Sequence, residues 1–301
     1  MDYSQILSQQ FNIKEEYAKN IITLLDDGNT IPFIARYRKE MHGSMDDQLI
    51  REFAEKLEYL RGLDKRRDEI RSLIDAQEKL TDEINLALDK AATLSELEDI
   101  YRPYRPKRKT RASIAKEKGL EPLANDILKQ EKGFDPSKSA VDYIDEEKGV
   151  TSVEDAIQGA MDIIAELVSD NAEIRKRIRN LTNANGVLVS VATDEEKDSV
   201  YKNYYDYKEP VKKIAGHRVL AVNRGEKEGF LKVSVETDSE KPLNSIFRAM
   251  ITDKNQLCSD IIREACTDAY QRLIYPSIER EVRNDLTDTA SENAMKVFAV
   301  N

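Results

Sequence analysis

Apolar residues return every three or four positions along most of this chain, and the residues between them are largely charged. That spacing predicts amphipathic helices, because 3.6 residues per turn gathers such positions onto one face. In IKEEYAKNIITLLDDGNT, Ala18, Ile21, Ile22 and Leu25 share a face, and Gly28 supplies a left-handed stop. IPFIARYRKEMHGSM reads as a connection in which aromatics mix with cations, and its Ile31, Phe33 and Ile34 read as packing residues. From Asp46 to about Ala76 the helical pattern resumes, first through Leu49, Phe53, Leu57 and Leu60. It continues through Ile70, Leu73 and Ile74 after the charged DKRRDE. A helix of that length spans ~45 Å, too long for one small core, so it is expected to prop two sub-assemblies apart. TDEINLALDKAATLSELEDIY predicts two short helices, with Ser95 and Glu98 as a capping box for the second.

Further on, ASIAKEKG, EPLANDILKQEKG (Pro122 in its first turn) and SKSAVDYID predict more helices. TSVEDAIQGAMDIIAELVSDNAEIRKRIRNLTNANG predicts a pair, the first capped by Thr151 with Glu154 and the break falling at Ser169–Asn171. The second of the pair directs Ile174, Ile178 and Leu181 inward and the cations Arg175, Lys176, Arg177 and Arg179 outward. Helices joined by short turns, the last one basic, suggest a helix-turn-helix, and these four cations are secondary candidates for nucleic-acid contact. Any solvated helix would carry the same pattern. Strands are predicted at the Val-rich GVLVSVA (186–192), HRVLAVN (217–223) and FLKVSVE (230–236), the last two joined by RGEKEG as a hairpin loop. Helix returns near Leu243, and Pro276 is expected to kink or divide it. The fold class is mainly α: a multi-helix scaffold with an inserted helix-turn-helix domain and a small β-hairpin or sheet element.

Composition sharpens this picture in two ways. The 301 residues allow two or three cores, and the 35% of charged residues exceeds the ~25% of an average soluble protein. The net charge is −10, and both halves share the acidity, with 26 basic against 31 acidic residues in 1–150. Any basic patch must therefore be local. Cys258 and Cys266 lie two turns apart in LCSDIIREACTDAY, ~12 Å along a helix, beyond disulfide reach and outside any metal-ligand spacing. They read as buried reduced thiols of a cytoplasmic protein. No signal peptide and no long apolar run occurs, which argues against secretion and against a membrane partner.

With only His42 and His217 available, neither a Ser-His-Asp arrangement nor a His-rich metal cluster can be assembled. GxGxxG and GxxxxGK[ST] phosphate loops are missing. Among 57 acids, spacing alone leaves a carboxylate-only Mg²⁺ site open, but pairs such as Asp46–Asp47 read as helix starts. The sequence thus nominates no catalytic residue, no metal ligand and no cofactor, and the expectation is that the chain is not an enzyme.

The sharper signal is YRPYRPKRKTRAS, residues 101 to 113, which holds six Lys or Arg and no acid. Pro103 and Pro106 bias Arg102 and Arg105 away from helical geometry, so the stretch is expected to run as polyproline II. On that path Tyr101 and Tyr104 share one face and Arg102 and Arg105 another, each pair ~9 Å apart. Aromatic faces beside guanidinium groups suit single-stranded nucleic acid, with Lys107, Arg108, Lys109 and Arg111 extending the electrostatic track. The alternative has the two tyrosines packing on the helix that ends LEDIY while the cations neutralise acidic neighbours or meet water.

Three longer stretches together carry a resemblance: IPFIARYRKEMHGSMDDQLIREF (31–53), LEDIYRPYRPKRKTRASIAKEKGLEPLA (97–124) and HRVLAVNRGEKEGFLKV (217–233). The chain resembles the amino-terminal region of the Tex family of bacterial transcription accessory proteins, along essentially its whole length. The resemblance implies a helical N-terminal region over 1–124, a helix-turn-helix-like insert over 125–190, and a small β element with returning helices over 191–301. It also implies a cytoplasmic role in transcription, with RNA or DNA bound weakly and the transcription machinery as a further partner. Family members continue into a ribonuclease-H-like YqgF domain, helix-hairpin-helix modules and an S1 domain that is their principal nucleic-acid binder. This sequence contains none of these and is expected to stop where the YqgF domain begins.

Overall fold

Asp2 accepts hydrogen bonds from the backbone N–H groups of Ser4 and Gln5 and so starts α1 (Tyr3–Phe11). α2 (Glu15–Asp26) follows, and Gly28 takes φ +80° just after it, the expected left-handed stop. In this computed structural model, which describes residues 2–300 and their side chains through 295, the chain forms two compact units divided between Tyr104 and Arg105.

In the first unit the stretch expected to be a connection is instead helical, as α3 (Ile31–Tyr37) and α4 (Lys39–His42). Pro32 in the first turn presets a helical φ where no donor is needed, and Gly43 at φ +66° ends α4. A Cβ on Gly43 would lie 2.7 Å from the Tyr17 ring. The Asp46 carboxylate caps α5 (Asp47–Asp75) by accepting from Leu49 N–H at 2.8 Å. Its 29 residues run ~43 Å at 1.5 Å each.

α5 serves two cores, as its length predicted. Ile50, Phe53, Leu57 and Leu60 pack with Leu7, Ala18, Ile21 and Ile34. Leu63, Ile70 and Ile74 pack with Leu88, Leu97 and Tyr101, which come from α6 (Asp82–Lys90) and α7 (Leu94–Tyr101). Beside the second core, between Leu63 and Ile70 on α5, lies Arg67, only 5% exposed. It donates to the carbonyls of Leu88 at 2.9 Å and Ala91 at 3.0 Å, and to the Asp64 carboxylate. A guanidinium thus satisfies the carbonyls that the end of α6 leaves over. The cap of α7 lies two residues before the expected Ser95–Glu98 box: Thr93 accepts from Glu96 N–H, and Glu96 accepts from Ala92 N–H.

The second unit is organised on α11. Around it stand α8 (Arg111–Glu117), α9 (Glu121–Lys129) and α10 (Pro136–Ala140). α11 itself (Val153–Asp170) buries Ala156, Ala160, Ile163, Ile164 and Val168, and Ser152 caps it, one residue after the expected Thr151. Asn171 alone separates it from α12 (Ala172–Asn185), accepting from Ile174 N–H.

A three-stranded antiparallel sheet follows, β1 (Val187–Ala192), β2 (Asp206–Pro210) and β3 (Leu231–Glu236), in the order β2-β1-β3 with Val189 opposite Lys208 and Ser234. β1 and β3 match the expectation. HRVLAVN does not: it lies in α13 (Gly216–Lys227), so no 217–236 hairpin forms. Its Val219, Val222 and Gly225 are buried at three-residue spacing, and a Cβ on Gly225 would come 2.5 Å from Leu231. Close helix-on-strand packing therefore overrides the strand preference of valine. The unforeseen strand, DYKEP, is a half-exposed edge with no Val signal.

α14 (Glu240–Met250) and α15 (Gln256–Asp268) lead into a π-helical turn, Ala269–Ile274, and then α16 (Tyr275–Val300). The break precedes Pro276, as expected, because its ring has no N–H and crowds the carbonyl four residues earlier. Among the described residues, no helix is long and apolar enough to cross a membrane.

Cys258 and Cys266 are reduced and buried. Burial pushes both thiols up, Cys266 to about 12. Because the thiolate is the nucleophile, a raised pKa leaves little reactive species at pH 8. Iodoacetamide at that pH is expected to spare both cysteines in the folded chain and to modify both in urea, as read by peptide mass spectrometry. Native labelling at the rate of a free thiol would contradict the packing.

Candidate nucleic-acid interface

The basic strip crosses the division between the units, and its two ends sit in different surroundings. At its start, Arg102–Tyr104 is a 3-10 turn extending α7, with Arg102 at φ −50° and ψ −44°. The expected polyproline II path is therefore absent here. The reason is packing: Tyr101, 6% exposed, and the half-buried Tyr104 join the core formed on α5. The Arg66 guanidinium sits 5.8 Å from the centre of the Tyr101 ring. Gln77 donates to the Tyr104 carbonyl at 2.9 Å, and burial pushes the Tyr104 hydroxyl pKa up. The two rings face protein, as in the alternative drawn from LEDIY. Arg102 and Arg105 each have an interaction partner of their own.

Past the division, Lys107 is tied to α11: its ammonium reaches the Asp170 carboxylate and lies 3.5 Å from Glu166. Arg108 is exposed. Lys109 makes one loose pair with Glu117 at 3.6 Å, with about two thirds of each side chain in water. Thr110 and Ser113 then form a reciprocal capping box at 3.0 and 2.8 Å, which starts α8 with Arg111 exposed in its first turn. Arg111 acts on Asp162, whose carboxyl burial pushes up while the cation draws it down. The strip therefore contains one fastened cation followed by Arg108, Lys109 and Arg111 facing solvent.

The cluster on α12 departs from its expected orientation. Ile174 and Ile178 are buried, but so are Arg175, at 0% exposed, and Arg179, at 8%. Arg175 donates to Ser277 at 2.9 Å and to Glu281 at 2.8 Å, and Arg179 holds Glu281 through two nitrogens at 2.9 and 2.8 Å. These two cations therefore bind α16 internally, while Lys176 and Arg177 are exposed. No group of three or more His, Cys, Asp or Glu side chains that could hold a metal ion occurs among the described residues.

Of the residues expected to pack, Ile34 is buried in the first core and the half-buried Ile31 lies against it, but the surface beside them is open. Of Ile31, Phe33 and Ile34, only Ile34 is fully buried; Phe33 is 37% exposed, and Tyr37, one turn on, is 67% exposed. The signal in the sequence was the run of cations around them, Arg36, Arg38 and Lys39.

Two family profiles match this chain: Tex-like protein N-terminal domain over residues 1–75, and Tex central region-like over residues 131–298. Among curated proteins, all of the chain aligns at 43% identity with the uncharacterized protein YdcI of Bacillus subtilis, covering 43% of that protein. It aligns at 35% with the transcriptional accessory protein Tex of Neisseria gonorrhoeae, covering 40%. At 30% it aligns with the S1 RNA-binding domain-containing protein 1 of Homo sapiens, covering 31%. The chain thus spans less than half the length of these relatives.

Proposed function

The chain belongs to the Tex family, and from that premise we propose that it is a non-catalytic scaffold of a transcription accessory protein that adds auxiliary phosphate contacts. The observation that carries this reading is the run Arg108, Lys109 and Arg111, three solvent-facing cations on a chain of net charge −10. Cations so placed attract any nucleic-acid backbone and orient it without reading bases. The relatives named for transcription and for S1 RNA-binding support a nucleic-acid setting. In this reading the helix-turn-helix-like insert over 125–190 is a packing module, because Arg175 and Arg179 are spent on Glu281. A second reading, a pure scaffold that docks on the transcription machinery, draws on Lys107, which fastens the strip to an acidic helix of the same unit.

Anisotropy of labelled single-stranded RNA with the 301-residue chain, measured across salt, tests the two. Each phosphate contact contributes about 0.7 to the slope of log affinity against log salt for a single strand. The triple variant R108A/K109A/R111A is expected to flatten that slope by about 2, whereas K107A leaves it unchanged, its ammonium being already engaged. An unaltered slope in the triple variant, or no salt-dependent association at all, would overturn the phosphate reading in favour of the scaffold.

A further inference from the structure

We propose that Phe33 and Tyr37, with Arg36, Arg38 and Lys39, form a stacking site for unpaired bases of single-stranded nucleic acid on the first unit. The site is independent of the basic strip.

Three observations converge on it. The first is exposure of paired aromatic rings. Phe33 and Tyr37 stand one turn apart on α3, with ring centres 5.4 Å apart and planes tilted by 41°. The Arg38 guanidinium lies 5.8 Å from the centre of the Phe33 ring. Tyr37 leaves two thirds of its surface in water and Phe33 more than a third, an unfavourable exposure, while Ile34 is the fully buried residue of the helix.

The second observation is the state of the cations. Elsewhere in this unit arginines are matched: Arg51 with Asp47, Arg61 with Asp26, Arg66 with Glu69 and Glu98, Arg71 with Asp68 and Asp89. Arg36, Arg38 and Lys39 are exposed, and none forms a salt bridge with a described residue. Residues 31 to 40 hold three cations and one acid, Glu40, in a strongly acidic chain. A polyanion is the complement of such a surface.

The third is rigidity. The buried His42 donates from Nε2 to the Ile34 carbonyl at 3.1 Å, and Asn20 donates to the Met41 carbonyl at 3.1 Å. Gly43 ends α4 directly against Tyr17. The short helix that carries the rings is thereby fastened to α4, and α4 to α2, so binding need not order them.

The aromatic pair selects among polyanions. Duplex bases already stack on one another and offer no face, and an acidic peptide would use the cations but leave the rings wet. Unpaired bases use both.

The chain contains no tryptophan, so Y37W introduces a single reporter at the centre of the site. A ten-nucleotide oligo(dT) is expected to quench its emission saturably, while a blunt DNA duplex and a ten-residue oligoglutamate leave it unchanged. In the otherwise native chain, F33A/Y37A is expected to bind oligo(dT) ~10-fold more weakly with an unchanged salt slope, and its circular-dichroism spectrum should match the parent. R36A/R38A/K39A is expected to flatten the salt slope by about 2. Placing R108A/K109A/R111A in the Y37W background should preserve the quench, so failure of the strip and failure of this site are read separately. No quench by oligo(dT), equal quench by oligoglutamate, or unchanged affinity in F33A/Y37A would overturn the proposal.

Discussion

Alanine at position 281 is expected to destabilise the second unit by about 3 kcal/mol or more, the cost of stripping a buried cation of its carboxylate. Glu281 spans two arginines of α12, and Arg175 has no exposed surface. A guanidinium there cannot recover hydration when its acid is removed, so a buried charge is left unpaired. Thermal unfolding should register the loss as a fall of roughly 6–12 °C for a unit of this size. The charge argument makes a second, opposite expectation. R175M/R179L/E281M removes all three charges together and replaces them by apolar groups of similar length, so it should regain most of the lost stability. If E281A melts within a degree or two of the parent, the ion pair is not what fastens α12 to α16.

Arg67→Met should cost the first unit about 3 kcal/mol, although methionine fills much of the same volume. The methionine takes the Arg67 donor from the Ala91 carbonyl and leaves the Leu88 carbonyl only the 3.3 Å bond from Ala91 N–H, while Asp64 retains Tyr3 at 2.8 Å but loses its buried cation. Arg67→Lys should recover little, since one ammonium cannot reproduce a planar fork aimed at three acceptors. Urea denaturation of the parent and both variants gives the comparison; an R67M midpoint equal to the parent's would show the network to be dispensable.

Arg175 and Arg179 mark the limit of what local sequence specifies. Periodicity located α2, α5, α11 and α12 because their apolar contacts repeat along the chain itself. It assigned Arg175 and Arg179 to water because their acid lies more than a hundred residues away, across a contact that no local window contains. The strip failed for a related reason. Proline's preference for extended neighbours is local, whereas the burial of Tyr101 and Tyr104 against α5 is tertiary, and the tertiary term prevailed. In HRVLAVN the valines suggested a strand, and only the tight seat of Gly225 against Leu231 explains the helix. Conversely, the solvent-facing cations at 108, 109 and 111 were legible, since an isolated charged segment needs no partner to be read. The family likeness was legible too, because it rests on long runs of residues and not on any single geometry.

The π-helical turn at Ala269–Ile274 bears on how this unit tolerates change. Each residue of a helix advances its neighbours by ~100° around the axis, and a π turn accommodates about one residue more than an α turn. It therefore acts as a phase adjuster: downstream, Ile278 and Val282 face the core, and Glu281 arrives opposite Arg175. Deleting a single residue within the turn would rotate that carboxylate by more than a quarter circle, whatever residue was lost. At this point in the chain, the number of residues carries information that their identities do not.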